Sequence, residues 1–394
     1  MATVLVLVIT IFICHTGYPL EVHVSNNAAP VGINYSQQDG RFELPINGAT
    51  GWAATAMPLR SDPRQDANIV LSLVPGQGFT ILTEYGDWWN VWLGGSGDIS
   101  GWVLHRGCFI NLPDVIPSIV YDITNAYASV KRSNGYKIPN ITGYALYDTL
   151  AFNHRLGRYE FIVPVLYATS KRILEAQQVA LADGNTLIIY EAFRPRATQQ
   201  SVVNNLQRLM DSNAAVRRAI NTPPWSLGWF ISTGISNHQR GVAIDAGLGR
   251  VVAQETRTSG LYAYTHITAF ERHTMPTVMH ELSPLAATFT QPVSSSSADA
   301  WRTATLARSM TEGAILLQRY LTDAAFTPLA SEWWHFNDLE SVRFANDSGI
   351  RGEFFTSTVY SKPPICNLGR SNKPIIFFNH CDYIFTDIYF HHRL

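Results

Sequence analysis

Short apolar runs alternate with turn residues over residues 49–110. Ile69-Val70-Leu71 gives way to Pro75-Gly76-Gln77-Gly78, and the run from Phe79 to Leu82 gives way to Gly86-Asp87. Trp88 to Leu93 and Gly101-Trp102-Val103-Leu104 follow. Strands at this spacing predict a small all-β barrel. The rhythm changes after Pro113. KRILEAQQVALA, residues 171–182, places apolar side chains three and four apart and predicts an amphipathic helix. A strand is predicted at 187–190 after Gly184, helices at 199–210 and 301–321, and an aromatic-rich strand at 331–336. Residues 113–355 therefore read as an α+β domain.

The two ends have different patterns. Residues 4–14, VLVLVITIFIC, are too short for a comfortable membrane span of about 20 residues. Their length suits the apolar part of an export signal over residues 1–17, though no Lys or Arg precedes Arg41. A non-cleaved anchor and a buried strand remain alternatives, and with either the chain would be cytoplasmic or membrane-attached instead of exported. Residues 18–48 are polar and read as a linker or extension. Residues 356–394 form a tail with little period.

Composition narrows the function classes. Hydrophobic residues are 46% and charged residues 15% of the 394, which supports a packed core and argues against disorder. The formal net charge of -1 gives no phosphate-tracking surface, so nucleic acid is not an expected partner. Four cysteines, Cys14, Cys108, Cys366 and Cys381, include no C-x-x-C pair, which disfavours a thiolate metal site. Cys366 and Cys381 could pair in an oxidising compartment. Asn140 and Asn346 begin glycosylation-type triplets, a pattern that also arises by chance.

The chemistry concentrates in three segments: YEAFRP (190–195), SNHQRGVAID (236–245) and SEWWHF (331–336). His238 and Asp245 are seven apart with Gly241 between them. A bend at Gly241 is the expected means of bringing both side chains to one point. With His335 they make two imidazoles and one carboxylate, a three-ligand zinc set with a position left for water or substrate. Each segment alone is unspecific.

Together, in this order, they are similar to the zinc D-alanyl-D-alanine dipeptidases and their D,D-carboxypeptidase relatives. The likeness covers residues 113–345, with YEAFRP and EGAILLQRYLTDAAFTPLASEWWHF closest to the dipeptidase branch. It implies the compact α+β fold shared with Hedgehog amino-terminal domains. It also implies one zinc ion on His238, Asp245 and His335, Glu332 as catalytic base, Arg194 stabilising the transition state, and Ser236 shaping the ligand loop. The substrate implied is D-Ala-D-Ala, with a peptidoglycan stem peptide as the alternative. Residues 49–110 resemble a bacterial SH3-type domain, which implies cell-wall polymer as a second partner and an extracytoplasmic location. One departure stands out. Where the family carries an aspartate for the substrate amine, MPTVMHEL (275–282) has His280, with Glu281 next to it as a possible replacement. A long insertion also separates Asp245 from Met275. A former enzyme acting as a non-catalytic wall-binding scaffold is the competing class.

Overall fold

The computed structural model describes residues 32–35, 42–94 and 98–364. The N-terminal apolar run, most of 18–41, Cys14, Cys366 and Cys381 lie outside these. The fold is mixed α+β, built on two large sheets. The first sheet begins with β1 (Thr50–Ala53), β2 (Met57–Arg60), β3 (Ile69–Leu73) and β4 (Gly78–Tyr85). It continues with β5 (Trp88–Leu93), β6 (Ile99–Leu104) and β7 (Cys108–Asn111). β8 (Val120–Tyr121) belongs to the second sheet, but β9 (Pro164–Leu166) pairs with β7 and makes the eighth strand of the first. Residues 49–110 therefore share a sheet with the rest of the chain, and one apolar cluster runs through both parts.

The second sheet is built around β10 (Asn185–Glu191), β11 (Ala243–Ser259) and β12 (Tyr262–Arg272). β11 and β12 form a long antiparallel hairpin that accounts for most of the insertion after Asp245. β13 (Thr327–Leu329) pairs with β14 (Glu332–Asn337), and β14 pairs with the start of β11. Helix α1 (Tyr167–Ala182) covers this sheet, burying Ile173, Leu174, Ala176 and Ala180 at helical spacing. Its buried Gln177 is fully used, since Nε2 donates to Ser118 and Thr186 and Oε1 accepts from Leu187 N. Helix α2 (Arg196–Ser212) starts right after Pro195, and α3 is Glu312–Asp323.

The helix expected over 301–321 starts later than the apolar pattern indicates. Ala300–Thr303 is only a 3-10 turn. The side chain of Thr311 accepts from Ala314 N, so the helix is capped there. Part of the expected tail is also held in place. Tyr360 N donates to Thr50 Oγ1 at 2.8 Å, and Ser361 Oγ donates to Asp114 Oδ2 at 2.6 Å. Cys108 is buried as a free thiol. No helix among the described residues is long and apolar enough to cross a membrane.

Candidate metal centre

Strand register brings two of the expected residues abreast with Glu191. Asp245 on β11 lies opposite Glu191 on β10 and opposite His335 on β14. Residues directly opposed on neighbouring strands share a face of the sheet, so the three side chains emerge together. His238 arrives from outside the sheet. Asn237–Arg240 is a 3-10 turn with Ser236 as its cap: the Ser236 hydroxyl accepts from His238 N, and Gln239 Oε1 accepts from Ser236 N at 2.9 Å. Gly241 ends the turn at φ 67°, the left-handed conformation that glycine adopts without a Cβ penalty. A Cβ there would stand 2.7 Å from the Phe109 ring and 3.0 Å from Leu166 N. The expected bend is thus present, and the first sheet packs directly against it.

Glu332 joins through an irregularity. Residues three apart on a regular strand face opposite ways. The β13–β14 pairing, however, jumps from Pro328↔Phe336 to Leu329↔Glu332, so the intervening residues of β14 bulge out. The bulge lets both Glu332 and His335 face one cavity of about 550 Å³. Glu332 Oε2 is 3.8 Å from His335 Nδ1.

Three donor atoms converge. His238 Nε2, His335 Nδ1 and Asp245 Oδ1 are separated by 3.0, 3.1 and 3.2 Å. Three atoms each about 2 Å from a tetrahedral zinc stand about 3.3 Å apart, so a small divalent ion fits this triangle. The surrounding hydrogen bonds argue for a cation independently. His238 Nδ1 lies 2.7 Å from Ala192 O, and His335 Nε2 lies 3.0 Å from Asn337 Oδ1. Asn337 Oδ1 also accepts from Asn237 Nδ2, which identifies it as the oxygen. Both outer ring nitrogens therefore carry protons, and the inner nitrogens turn lone pairs toward each other. Two lone pairs 3.0 Å apart beside a carboxylate need a positive charge between them, either a proton or a metal ion.

The ionisation of the cluster agrees. Burial, the largest influence on His238, pushes its pKa down. Burial also opposes charge on His335, but its contact with Asp245 raises its pKa overall. Burial works against ionised Asp245 too, yet His238, His280 and His335 hold its carboxyl well below the usual range. At Glu332 burial outweighs the lowering influence of nearby His335, and the pKa is pushed up to about 7.

Behind the triangle is a second charged layer. Arg194 Nη2 contacts Glu191 Oε2 closely and reaches Asp245 Oδ2 at 3.3 Å. Its Nη1 donates to Gln199 Oε1 at 2.7 Å, while Nε has no acceptor among the described residues. Burial opposes the charge on Glu191, but Arg194 and Lys131 hold its carboxyl down at about 2. The ion pairs of Arg194 are therefore part of the site, because its acid partners include Asp245 of the triangle. His280 also joins, with Nε2 3.1 Å from Asp245 Oδ2, and burial pushes its pKa down to about 4. Glu191, Asp245 and His280 could form a second metal-binding group. There, however, Arg194 and Lys131 already supply the cations. Glu281 faces away: its carboxylate accepts from Ser283 Oγ and Gly135 N, and it does not line the cavity.

Three contributors are absent from the sequence motifs. Asn337 lies two residues after His335 and so on the same strand face, a period-two signal that the sequence carries. Gln199 lies in the first turn of α2, five residues after Arg194. Lys131 lies in an irregular segment where no periodicity points to it. The arrangement is a His/Asp cluster that could hold a divalent metal ion, with a carboxylate and cationic side chains around it, as in a metal-dependent enzyme site. Comparison of the sequence with protein-family models finds no match, and comparison with curated proteins finds none either.

Proposed function

We propose that this protein is a zinc-dependent peptidase cleaving a D-alanyl-D-alanine type bond. The observation that carries the reading is the convergence of Glu332 and Arg194 on the His238, Asp245 and His335 triangle in one cavity. A binding-only module has no need for a base and a guanidinium at that point. Nitrogen and oxygen donors without sulfur suit zinc, and His238, Asp245 and His335 would hold it. When bound, the ion supplies Lewis acidity toward water and toward the scissile carbonyl. Glu332, on the cavity wall 3.8 Å from His335 Nδ1, is placed to take a proton from the attacking water and hand it to the departing amine. Arg194 is fixed by Gln199, Glu191 and Asp245 and offers positive charge where the carbonyl oxygen gains negative charge. One water is consumed and one peptide bond is broken into a carboxylate and an amine.

Two substrates fit this chemistry. Free D-Ala-D-Ala follows from the motif likeness. The stem-peptide alternative, a D,D- or L,D-carboxypeptidase or endopeptidase, is favoured by the cavity of about 550 Å³, which is ample for more than two alanines. In this reading residues 49–110 form an SH3-like module holding the enzyme near wall polymer, and residues 1–17 direct export. The test is zinc-loaded protein offered D-Ala-D-Ala and a pentapeptide stem side by side, with Glu332→Gln as comparison. Glu332→Gln is expected to keep its zinc and lose turnover by about 10² or more. Full activity at full zinc content in that variant would sink the mechanism. Iron in place of zinc on elemental analysis would sink the assignment of the metal.

A further inference from the structure

Lys131 is a buried lysine on the wall of the metal cavity, and no part of the chemistry above uses it. Its Nζ is 3.5 Å from Glu191 Oε2, the oxygen that Arg194 Nη2 already contacts closely. One carboxylate thus faces two cations. The charges form a row: the metal triangle, then Asp245 with Arg194, then Glu191 with Lys131. Lys131 lines the same cavity as Arg194 and the triangle, so a group bound at the triangle has Lys131 on its wall.

The acids of the cavity are all engaged. Asp245 and Glu332 are the only carboxylates among the described lining residues. Asp245 belongs to the metal triangle and Glu332 adjoins it. Glu191 stands behind both cations. Glu281 accepts from Ser283 and Gly135 and is off the wall. No carboxylate is left to receive an ammonium group. With a divalent ion bound and Asp245, Glu332, Glu191, Arg194 and Lys131 all ionised, neutral imidazoles leave a net charge of about +1. A low-dielectric cavity with that charge attracts an anion and repels an ammonium.

We propose that Lys131 is a specificity-determining residue that receives a substrate carboxylate, and that the substrate is an N-acylated peptide with a free carboxyl end, not a zwitterionic dipeptide. This rests on the peptidase reading above and chooses the substrate class within it. Three ligands separate the possibilities: D-Ala-D-Ala, N-acetyl-D-Ala-D-Ala, and the C-terminal amide of the acetylated peptide. Turnover of each is measured on the zinc-loaded protein. Binding of the two acetylated peptides is measured by calorimetry on a Glu332→Gln background, where hydrolysis is slowed. The same measurements are made with Lys131→Met and Lys131→Arg.

The acetylated acid is expected to exceed the free dipeptide in kcat/KM by tenfold or more. It is expected to bind at least tenfold more tightly than the amide. Lys131→Met should abolish that preference for acid over amide, and Lys131→Arg should restore most of it. Equal use of free and acetylated dipeptide would overturn the substrate class. An acid-over-amide preference that survives Lys131→Met would overturn the role of the lysine. If Lys131→Met does not fold, because Glu191 has lost a partner, the acid and amide comparison on protein carrying Lys131 still decides: equal binding overturns the proposal. If the lysine-dependent preference is present but neither peptide is cut, the peptidase reading fails and the Lys131 assignment stands.

Discussion

Replacing Asn337 by leucine tests the argument that the two imidazoles are pre-set as metal ligands. Asn337 touches no proposed metal position. Its Oδ1 fixes the proton of His335 on Nε2 at 3.0 Å and so turns the Nδ1 lone pair toward His238 and Asp245. Leucine has similar bulk but accepts no hydrogen bond, so the buried His335 ring would favour the tautomer with its proton on Nδ1. Loss of such an outer partner costs 10- to 100-fold in metal affinity, or about 1.4–2.8 kcal/mol. Competition for zinc against a chromophoric chelator near neutral pH measures it directly. Asn337→Asp keeps an acceptor at the same place and is expected to bind zinc within a few-fold of the unaltered protein. The donor on Asn237 also loses its partner in Asn337→Leu, so folding is monitored by thermal melting of the metal-free proteins. A folded Asn337→Leu protein with undiminished zinc affinity would refute the tautomer argument, and with it the strongest reason for a cation in this cluster.

Other expectations follow from single contacts. Gly241→Ala should lower stability by about 2–4 kcal/mol in denaturant titration, combining a left-handed backbone with overpacking against Phe109 and Leu166. An unchanged midpoint would show that the turn relaxes freely. Arg155 is buried and donates to the carbonyls of Asp114, Asn47, Pro45 and Lys362. Arg155→Met should therefore cost about 3 kcal/mol or more, read as a lower unfolding midpoint. Glu43, beside Ser118, is pushed up to about 7 by burial. The folded state then holds that proton more tightly than the unfolded chain, so its stability is highest below about pH 4.5 and falls as pH rises toward 7. The full shift corresponds to about 3 kcal/mol, reduced to about 2 because Glu43 keeps some contact with water. Glu43→Gln should flatten the profile over that interval, and an unaltered profile counts against a raised pKa.

Motif-bearing residues were legible because their chemistry is carried by type and order. Glycine between His238 and Asp245 announced a bend, and the bend is there at φ 67°. The helix at 171–182 was legible from its apolar spacing, although α1 begins earlier, at Tyr167, where an aromatic ring packs on Trp89. Alternation alone would have separated Glu332 from His335. Only the bulge in β14 joins them, and a bulge depends on the partner strand, which the local sequence does not specify. The same limit applies to Lys131 and to β9. Their places depend on contacts far along the chain, and β9 leaves its own segment to complete the first sheet. Turn spacing at 49–110 points to its short strands. Spacing along the chain carries no information about a strand arriving from residue 164.

That shared sheet has a consequence for the centre. Asp245 serves two functions through its two oxygens, with Oδ1 in the metal triangle and Oδ2 toward Arg194 and His280. The guanidinium is thereby held one hydrogen bond from the ligand set, and an error in the path of β11 would misplace both. That path is entered through Gly241, where the chain passes from a 3-10 turn toward the strand. There the first sheet supplies what the second lacks. Phe109 from β7 fills the space a Cβ would take, Leu166 N of β9 donates to Gly241 O at 2.8 Å, and Phe193 and Phe354 stack behind them. The β-rich segment 49–110, with β9, is therefore part of the scaffold that fixes the turn carrying His238. Removing it would expose the underside of the turn that carries His238 and loosen the metal site before any partner of the sheet came into play.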